Sequence, residues 1–260
     1  MKAIVLAAGY ATRLYPLTET VAKPLLRVAE RPMIDYLLER IFEVDEVDGV
    51  HVVTNHKFAG SFLRWAEAHE PRGVPVDVHD DGTTSEDDKL GAIGDIRYVV
   101  EQAGLEGDDL LVAAGDNLFD YSVADYVRWW HGKGEASAVA LYDVGDLELV
   151  RMYSSVELAA DERLVGFVEK PEHPESTLVA TATYIFHRAH VPLVERYLEE
   201  GNSPDQPGRF VAWLVPRAPV FGYGFDGDWR DIGDAKQLLE ADNRLRSRAG
   251  LPVRDTYVLD

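Results

Sequence analysis

Apolar positions follow two different periods along this chain. Lys2-Ala3-Ile4-Val5-Leu6, Val50-His51-Val52-Val53-Thr54 and the stretch from Asp109 to Asn117 are short, mostly apolar runs without in-and-out alternation. Such runs suit strands buried on both faces of a parallel sheet. Val74 to Val78 reads as a further strand. Between these runs, apolar residues recur at helical spacing from Met33 to Phe42, with Pro32 near the first turn, from Phe58 to His69, and from Leu90 towards Gln102. Strand and helix in alternation predict an α/β doubly wound, mostly parallel sheet, whose ligand crevice lies at the carboxyl ends of the strands.

The second half has a shorter rhythm. A helix over Ser122 to His131 and a strand over Ser137 to Tyr142 lead into strands at Tyr153 to Leu158, Leu164 to Val168 and Leu178 to Phe186. His190 to Glu200 reads as a helix and Gly201 to Gly208 as a loop over the ligand crevice. Val220 to Phe225 reads as a strand, and Ala235 to Arg246 as a last helix with Asp234 at its N-cap. No internal repeat, low-complexity tract or linker interrupts the chain, so a single domain over 1–260 is expected.

Candidate chemistry begins where the first strand ends. Ala7, Ala8 and Gly9 carry almost no side chain, so the loop's backbone N–H groups can approach phosphate oxygens or a base edge closely. Arg13 follows as a forked phosphate donor and Lys23 as a compact positive charge. These residues describe a polyphosphate clamp, and they equally suit an ordinary strand-to-helix connection with two solvated cations. Two familiar glycine-rich nucleotide motifs do not fit. The dinucleotide fingerprint lacks its second and third glycines, and there is no Gly-Lys-Ser/Thr of a P-loop. Further on, Asp116 in Gly115-Asp116-Asn117 is a hard oxygen ligand at the end of a buried strand, suited to Mg²⁺, or else a turn or cap residue. Gly91 and Gly94 serve either close helix packing or ligand contact. Glu169-Lys170-Pro171 in isolation reads as a surface ion pair before a turn.

The stretch Leu6-Ala7-Ala8-Gly9-Tyr10-Ala11-Thr12-Arg13-Leu14-Tyr15-Pro16-Leu17-Thr18, with Lys23-Pro24-Leu25 after it, resembles the signature of the sugar-1-phosphate nucleotidylyltransferases. Every position matches except Ala11, where the family usually has glycine. Three more stretches match in the family's order: Gly115-Asp116-Asn117, Phe167-Val168-Glu169-Lys170-Pro171 and Trp229-Arg230-Asp231-Ile232-Gly233-Asp234. The resemblance covers nearly the whole chain. It implies a Rossmann-like fold of the nucleotide-diphospho-sugar transferase type, with a nucleotide-binding part over 1–135, a smaller inserted sugar-binding β lobe over 136–230, and a C-terminal helix and tail over 231–260. No appended β-helical domain is expected.

The same resemblance implies roles. Leu6, Ala7, Ala8, Gly9, Thr12, Arg13 and Gly91 would bind the nucleotide, and Asn117, Tyr153, Glu169, Lys170 and Thr183 the sugar phosphate. Asp116 and Asp231 would hold Mg²⁺, and Arg13, Lys23, Asp116 and Lys170 would carry catalysis. The expected reaction joins dTTP to glucose-1-phosphate, releasing pyrophosphate; Asn117 after Asp116 fits the thymidylyltransferase branch.

The chain also departs from the family. Asp80-Asp81-Gly82-Thr83-Thr84-Ser85-Glu86 stands where a glutamine normally reads a pyrimidine base. Met152-Tyr153-Ser154 replaces Tyr-Gly, and Thr181-Ala182-Thr183-Tyr184 replaces Thr-Gly-x-Tyr. Two alternatives follow. A cytidylyltransferase acting on phosphocholine or another phosphorylated alcohol would use the acidic region for a cationic head, boxed by Trp213, Tyr223 and Trp229. A non-catalytic nucleotide-sugar-binding paralogue would explain three lost glycines, but not the retained charged set.

Charge and composition bear on partners more than on fold. A formal net charge of −20 argues against sequence-independent nucleic-acid binding. It also repels anionic nucleotides, so a site for them must be locally cationic or carry a metal ion. The excess acid equally serves solvation. Cysteine is absent, which excludes disulfides, thiolate metal sites and a cysteine nucleophile. No apolar run is long enough to span a bilayer, and Met1-Lys2 enters the first strand without a signal-like apolar region. A cytoplasmic protein with no membrane partner is therefore expected. A homo-oligomer is left open.

Overall fold

The computed structural model describes residues 1–68 and 73–259. The first half runs β1 (Lys2–Leu6), a short ribbon of β2 (Arg27–Val28) and β3 (Arg31–Pro32), α1 (Met33–Ile41), β4 (Val50–Thr54), α2 (His56–Ala68), β5 (Val76–Asp80), α3 (Ala92–Ala103) and β6 (Leu110–Ala114). The second half continues with β7 (Asn117–Phe119), α4 (Val123–His131), β8 (Ser137–Asp143), α5 (Leu147–Val150), β9 (Ser154–Leu158), β10 (Leu164–Glu169) and β11 (Leu178–Phe186). It ends with α6 (Leu193–Glu199), α7 (Pro207–Leu214), β12 (Val220–Gly224), β13 (Trp229–Asp231) and α8 (Ala235–Arg248).

Among these, seven strands form one sheet in the order β12-β8-β11-β6-β1-β4-β5. β1 lies between β4 and β6 and is parallel to both. Its Ala3, Ile4 and Val5 are fully buried, which explains why the run shows no alternation. One apolar cluster packs α1, α2 and α4 on one face of the sheet, and a second packs α3, α6 and α7 on the other. The doubly wound, mostly parallel α/β architecture expected from the sequence is present. Asp234 caps α8 through Gln237 N at 2.8 Å, and Ser122 caps α4 through Asp125 N at 3.1 Å.

Several expectations change in detail. β5 begins at Val76 rather than Val74, because Pro75 has no N–H to give to a ladder, and it runs on through His79 and Asp80 at the sheet's edge. α6 starts at Leu193, with Pro192 at its N-cap, and the preceding residues form turns. The expected end of α2 at His69 lies outside the described residues. The strands expected to build a separate sugar lobe do not stay together. β11 enters the main sheet antiparallel between β6 and β8, and β8 and β12 belong to the same sheet. Of the three strands expected there, β9 and β10 pair with each other outside the main sheet, as a two-stranded layer. Sheet membership is set by long-range pairing, to which local apolar rhythm is blind.

Candidate active site

A cleft opens at the carboxyl ends of β1 and β6, and it has two halves. The first, about 380 Å³, is lined by Leu6, the loop from Ala8 to Arg13, and residues of the β5–α3 connection. The second, about 500 Å³, lies over β9, β10 and β11. Arg13, Asp116, Ala182 and Pro207 line both halves, so the two meet there. A reaction between two ligands, one in each half, would take place at this junction.

The first half is built on a pinned loop. Ala7 N donates to Val53 O at 2.9 Å, so Ala7 still belongs to the sheet and does not line the cleft, contrary to the role expected for it. Asn55, buried at the end of β4, donates from Nδ2 to Ala8 O at 2.8 Å and accepts from Phe58 N at 3.2 Å. One side chain thus fixes the loop and starts α2. Sequence reasoning missed Asn55; the signal was a polar residue directly after an otherwise apolar strand. Ala11 takes the left-handed backbone, φ 47°. That is the physical reason for the family's glycine here, and alanine carries a cost of about 1–2 kcal/mol at such a position.

At the junction, Lys23 Nζ lies 2.5 Å from Asp116 Oδ2. Gly115 and Asp116 form the turn between β6 and β7, and β7 pairs antiparallel with β13 so that Asn117 faces Asp231. The two expected metal carboxylates are brought together in this way. Burial, and then the charge of Asp116, push the Asp231 carboxyl above its ordinary range, against the pull of Lys23, Arg13 and Lys170. Two carboxylates in mutual repulsion suit a divalent cation. Mg²⁺ takes one or two protein carboxylates and completes its shell with phosphate oxygens and water. Among the described residues there is no cluster of three or more metal-ligating side chains.

In the second half, Tyr153, Glu169 and Lys170 line the cleft. Tyr153 stacks edge-on against Trp229, ring centroids 5.1 Å apart. Burial raises the Glu169 carboxyl, with Lys170 and Arg209 opposing. Lys170 N donates to Tyr153 O at 2.7 Å, which fixes the lysine backbone in a left-handed conformation, φ 49°. Arg13 and Lys170 both enter the cleft without an ion pair among the described residues. Asn117 lines the cleft, but its Nδ2 is committed to Thr181 O at 2.8 Å.

Thr183 is not part of the cleft. β11 alternates, so Ala180, Ala182 and Tyr184 face the cleft while Thr183 is buried beside Tyr121 on the far side. Ala182 adopts φ 51°, again the conformation for which glycine is the usual residue. Ser154, the third replaced glycine, is an ordinary strand residue whose Oγ accepts from Ala180 N at 2.9 Å. Of the aromatic box considered for choline, Trp229 lines the cleft. Trp213 packs instead on Phe210 and Arg217, and Tyr223 on Tyr126 and Trp129. The acidic Asp81 and Glu86 line the first half and not the second.

One segment joins the halves. Pro204 O accepts from Ile93 N at 2.8 Å, and Lys89 Nζ lies 3.3 Å from Asp205. Gly91, at φ 77° and ψ 161°, lets Pro204 approach so closely that a Cβ there would sit 2.7 Å from Pro204 O. Just beyond, Gln206, Pro207 and Gly208 line the second half, and a Cβ on Gly208 would run into the Glu169 carboxylate. The expected loop from Gly201 to Gly208 does reach the cleft, with its last two residues already in α7.

Asp81 and Asp95 face one another in the first half. Burial, and then the charge of Asp81, push the Asp95 carboxyl up to about 8. Asp81 is raised as well, by burial against the pull of Thr83, with Asp80 adding to the rise. From about pH 4, where an unfolded aspartate has ionised, to about 8, the folded protein keeps a proton that the unfolded chain has lost. Stability therefore falls as pH rises through that window. Asp95→Asn removes the cost, so between pH values near 5 and near 8 the wild-type melting temperature should fall further than the variant's. Equal falls would show that Asp95 does not hold the proton.

Residues 2–248 match the family described as Nucleotidyl transferase. The UTP–glucose-1-phosphate uridylyltransferase of Synechocystis sp. is 29% identical over 255 residues, covering 95% of this chain and 64% of that protein. The glucose-1-phosphate thymidylyltransferase of Streptomyces antibioticus is 29% identical over 260 residues, covering 94% and 66%. The chain thus spans roughly two thirds or less of the length of these curated relatives. A UDP-glucose pyrophosphorylase structure, complexed with UDP-glucose, superposes with a TM-score of 0.79 at 21% identity over 95% of this chain and 98% of that one, which is a likeness of fold. With the signature loop, both carboxylates and the Glu-Lys-Pro turn gathered on one cleft, the chain belongs to the nucleotidyl transferase family.

Proposed function

We propose that the protein joins a nucleoside triphosphate, held in the first half of the cleft, to a sugar 1-phosphate held in the second. The observation that carries this reading is the pair of cations, Arg13 and Lys170, that enter the cleft without ion pairs among the described residues, in a chain of net charge −20. Such groups call for anionic ligands. An oxygen of the sugar phosphate attacks the α-phosphorus in line; the new P–O bond forms as the bond to the β-phosphate oxygen breaks, and pyrophosphate leaves with the electron pair. The attacking phosphate is already an anion, so no general base or covalent nucleophile is required. Catalysis consists of holding two mutually repelling anions in line and stabilising charge as it develops.

In this reading, Arg13 and the backbone of Ala8 and Gly9 hold the β- and γ-phosphates. Lys23 steadies the reacting phosphates, Lys170 orients the acceptor phosphate, and Glu169 accepts hydrogen bonds from sugar hydroxyls. Asp116 and Asp231 are the residues that would hold Mg²⁺, which when bound neutralises phosphate charge. Glucose-1-phosphate is the acceptor to try first, since the names of both curated relatives include it. The sequence resemblance suggests dTTP as donor. The phosphate-holding groups are indifferent to the base, so any of the five common triphosphates can serve the chemistry.

The test is a pyrophosphate-release screen with Mg²⁺, crossing dTTP, UTP, CTP, GTP and ATP with several sugar 1-phosphates and phosphocholine. Release with a sugar 1-phosphate is expected. Release with phosphocholine alone would overturn the acceptor assignment, and silence with every pair would favour a non-catalytic binder.

A further inference from the structure

The far end of the first half is acidic. Arg13 and Asp116 mark the junction, where phosphates belong, so the base of a bound nucleotide lies towards Tyr10, Asp81, Gly91 and Asp95. Asp95, on the first turn of α3, is 5% exposed. Asp81 Oδ2 and Asp95 Oδ1 are buried and, beyond the contact between the two carboxyls themselves, have no hydrogen-bond partner among the described residues. Asp81 Oδ1 already accepts from Thr83 N and Thr83 Oγ1, both at 2.7 Å. The cationic side chain on this wall among the described residues, Lys89, is engaged by Glu86 at 2.6 Å and Asp205 at 3.3 Å.

Two carboxyls in contact without donors hold one proton between them and keep one negative charge. Such a pair offers acceptors to its ligand. Thymine and uracil present one N–H flanked by two carbonyl oxygens, and those oxygens are repelled by an acceptor edge. Cytosine, adenine and guanine each present an exocyclic amine. Resting on the nucleotidyl-transfer reading above, we propose that the Asp81–Asp95 pair reads the base of the donor and selects triphosphates whose base carries an exocyclic amino group, against dTTP and UTP. This departs from the dTTP expected from the family resemblance, and it gives the acidic stretch, which stands where the family has a base-reading glutamine, a role in the nucleotide half.

The test is equilibrium binding to the full chain by calorimetry, with Mg²⁺ and each of ATP, GTP, CTP, UTP and dTTP. The best amino-bearing triphosphate should bind at least about tenfold more tightly than UTP and dTTP. Its analogue lacking only that amine (purine riboside triphosphate for ATP, inosine triphosphate for GTP, the 4-deamino pyrimidinone for CTP) should lose the advantage. Asp81→Asn combined with Asp95→Asn, confirmed folded by near-ultraviolet circular dichroism, should narrow the gap to under about threefold. UTP or dTTP binding as tightly as the best amino base would overturn the proposal. So would an amine-free analogue binding undiminished, or a folded double variant that keeps the gap.

The two readings fail separately. Pyrophosphate release with dTTP or UTP at least as good as with every other donor sinks base selection and leaves nucleotidyl transfer standing. Selective binding without release under any acceptor sinks transfer alone, and absence of triphosphate binding sinks both.

Discussion

Lys170→Ala should lower turnover by about 10²- to 10³-fold while the protein stays folded, the loss typical of one preorganised group that stabilises transition-state charge. The geometry explains why the effect should fall on catalysis and spare stability. Lys170 is anchored through its backbone, N to Tyr153 O at 2.7 Å, so alanine leaves the anchor in place. Its ammonium has no ion pair to lose among the described residues, and it lines the half of the cleft assigned to the acceptor. Steady-state pyrophosphate release, with a melting curve as control, measures both quantities. Near-normal turnover would remove Lys170 from the mechanism. A melting temperature that drops in parallel would mean that the lysine holds the hairpin and not the substrate.

Gly91→Ala is the second large effect, and it acts through the backbone. The φ and ψ of Gly91, 77° and 161°, lie in a region reached almost solely by glycine, where a side chain costs about 1–3 kcal/mol. The added Cβ would also press on Pro204 O at 2.7 Å, backbone against backbone, with no flexible side chain to swing aside. Denaturant unfolding should show a loss of about 2 kcal/mol or more, with unchanged slope. Because Gly91 also lines the nucleotide half, affinity for Mg²⁺-triphosphate should weaken with it. Stability within a few tenths of the wild type would show that the segment around Pro204 yields easily, and would undercut the close packing described for it.

What could be read in the sequence divides by how local its cause is. The buried run of β1, the small-residue loop, the capping Asp234 and the turn carrying Asp116 all follow from neighbours along the chain, and the structure has each of them. The convergence of Asp116, Asp231, Lys23 and Lys170 was legible only through the order of four motifs, since periodicity says nothing about which turns meet. Asn55, Asp95 and Gly208 were not legible. Asp95 reads as an ordinary acidic residue in a helix's first turn, and its burial depends on where β5 ends. Gly208 reads as a loop glycine, and the side chain that crowds it, Glu169, is far away in sequence. Thr183 was misassigned because a motif match ignores which face of a strand each residue occupies.

The segment that leans on Gly91 at one end and on Glu169 at the other ties together two preferences that could otherwise drift apart. A substitution between Ser203 and Gly208 that widens one chamber shifts a wall of its neighbour. If the two halves hold nucleotide and sugar as proposed, lineages of this chain would change both preferences together, and exchanging this stretch between relatives would transplant a matched pair of tastes where a point change at the cleft's far ends would alter one.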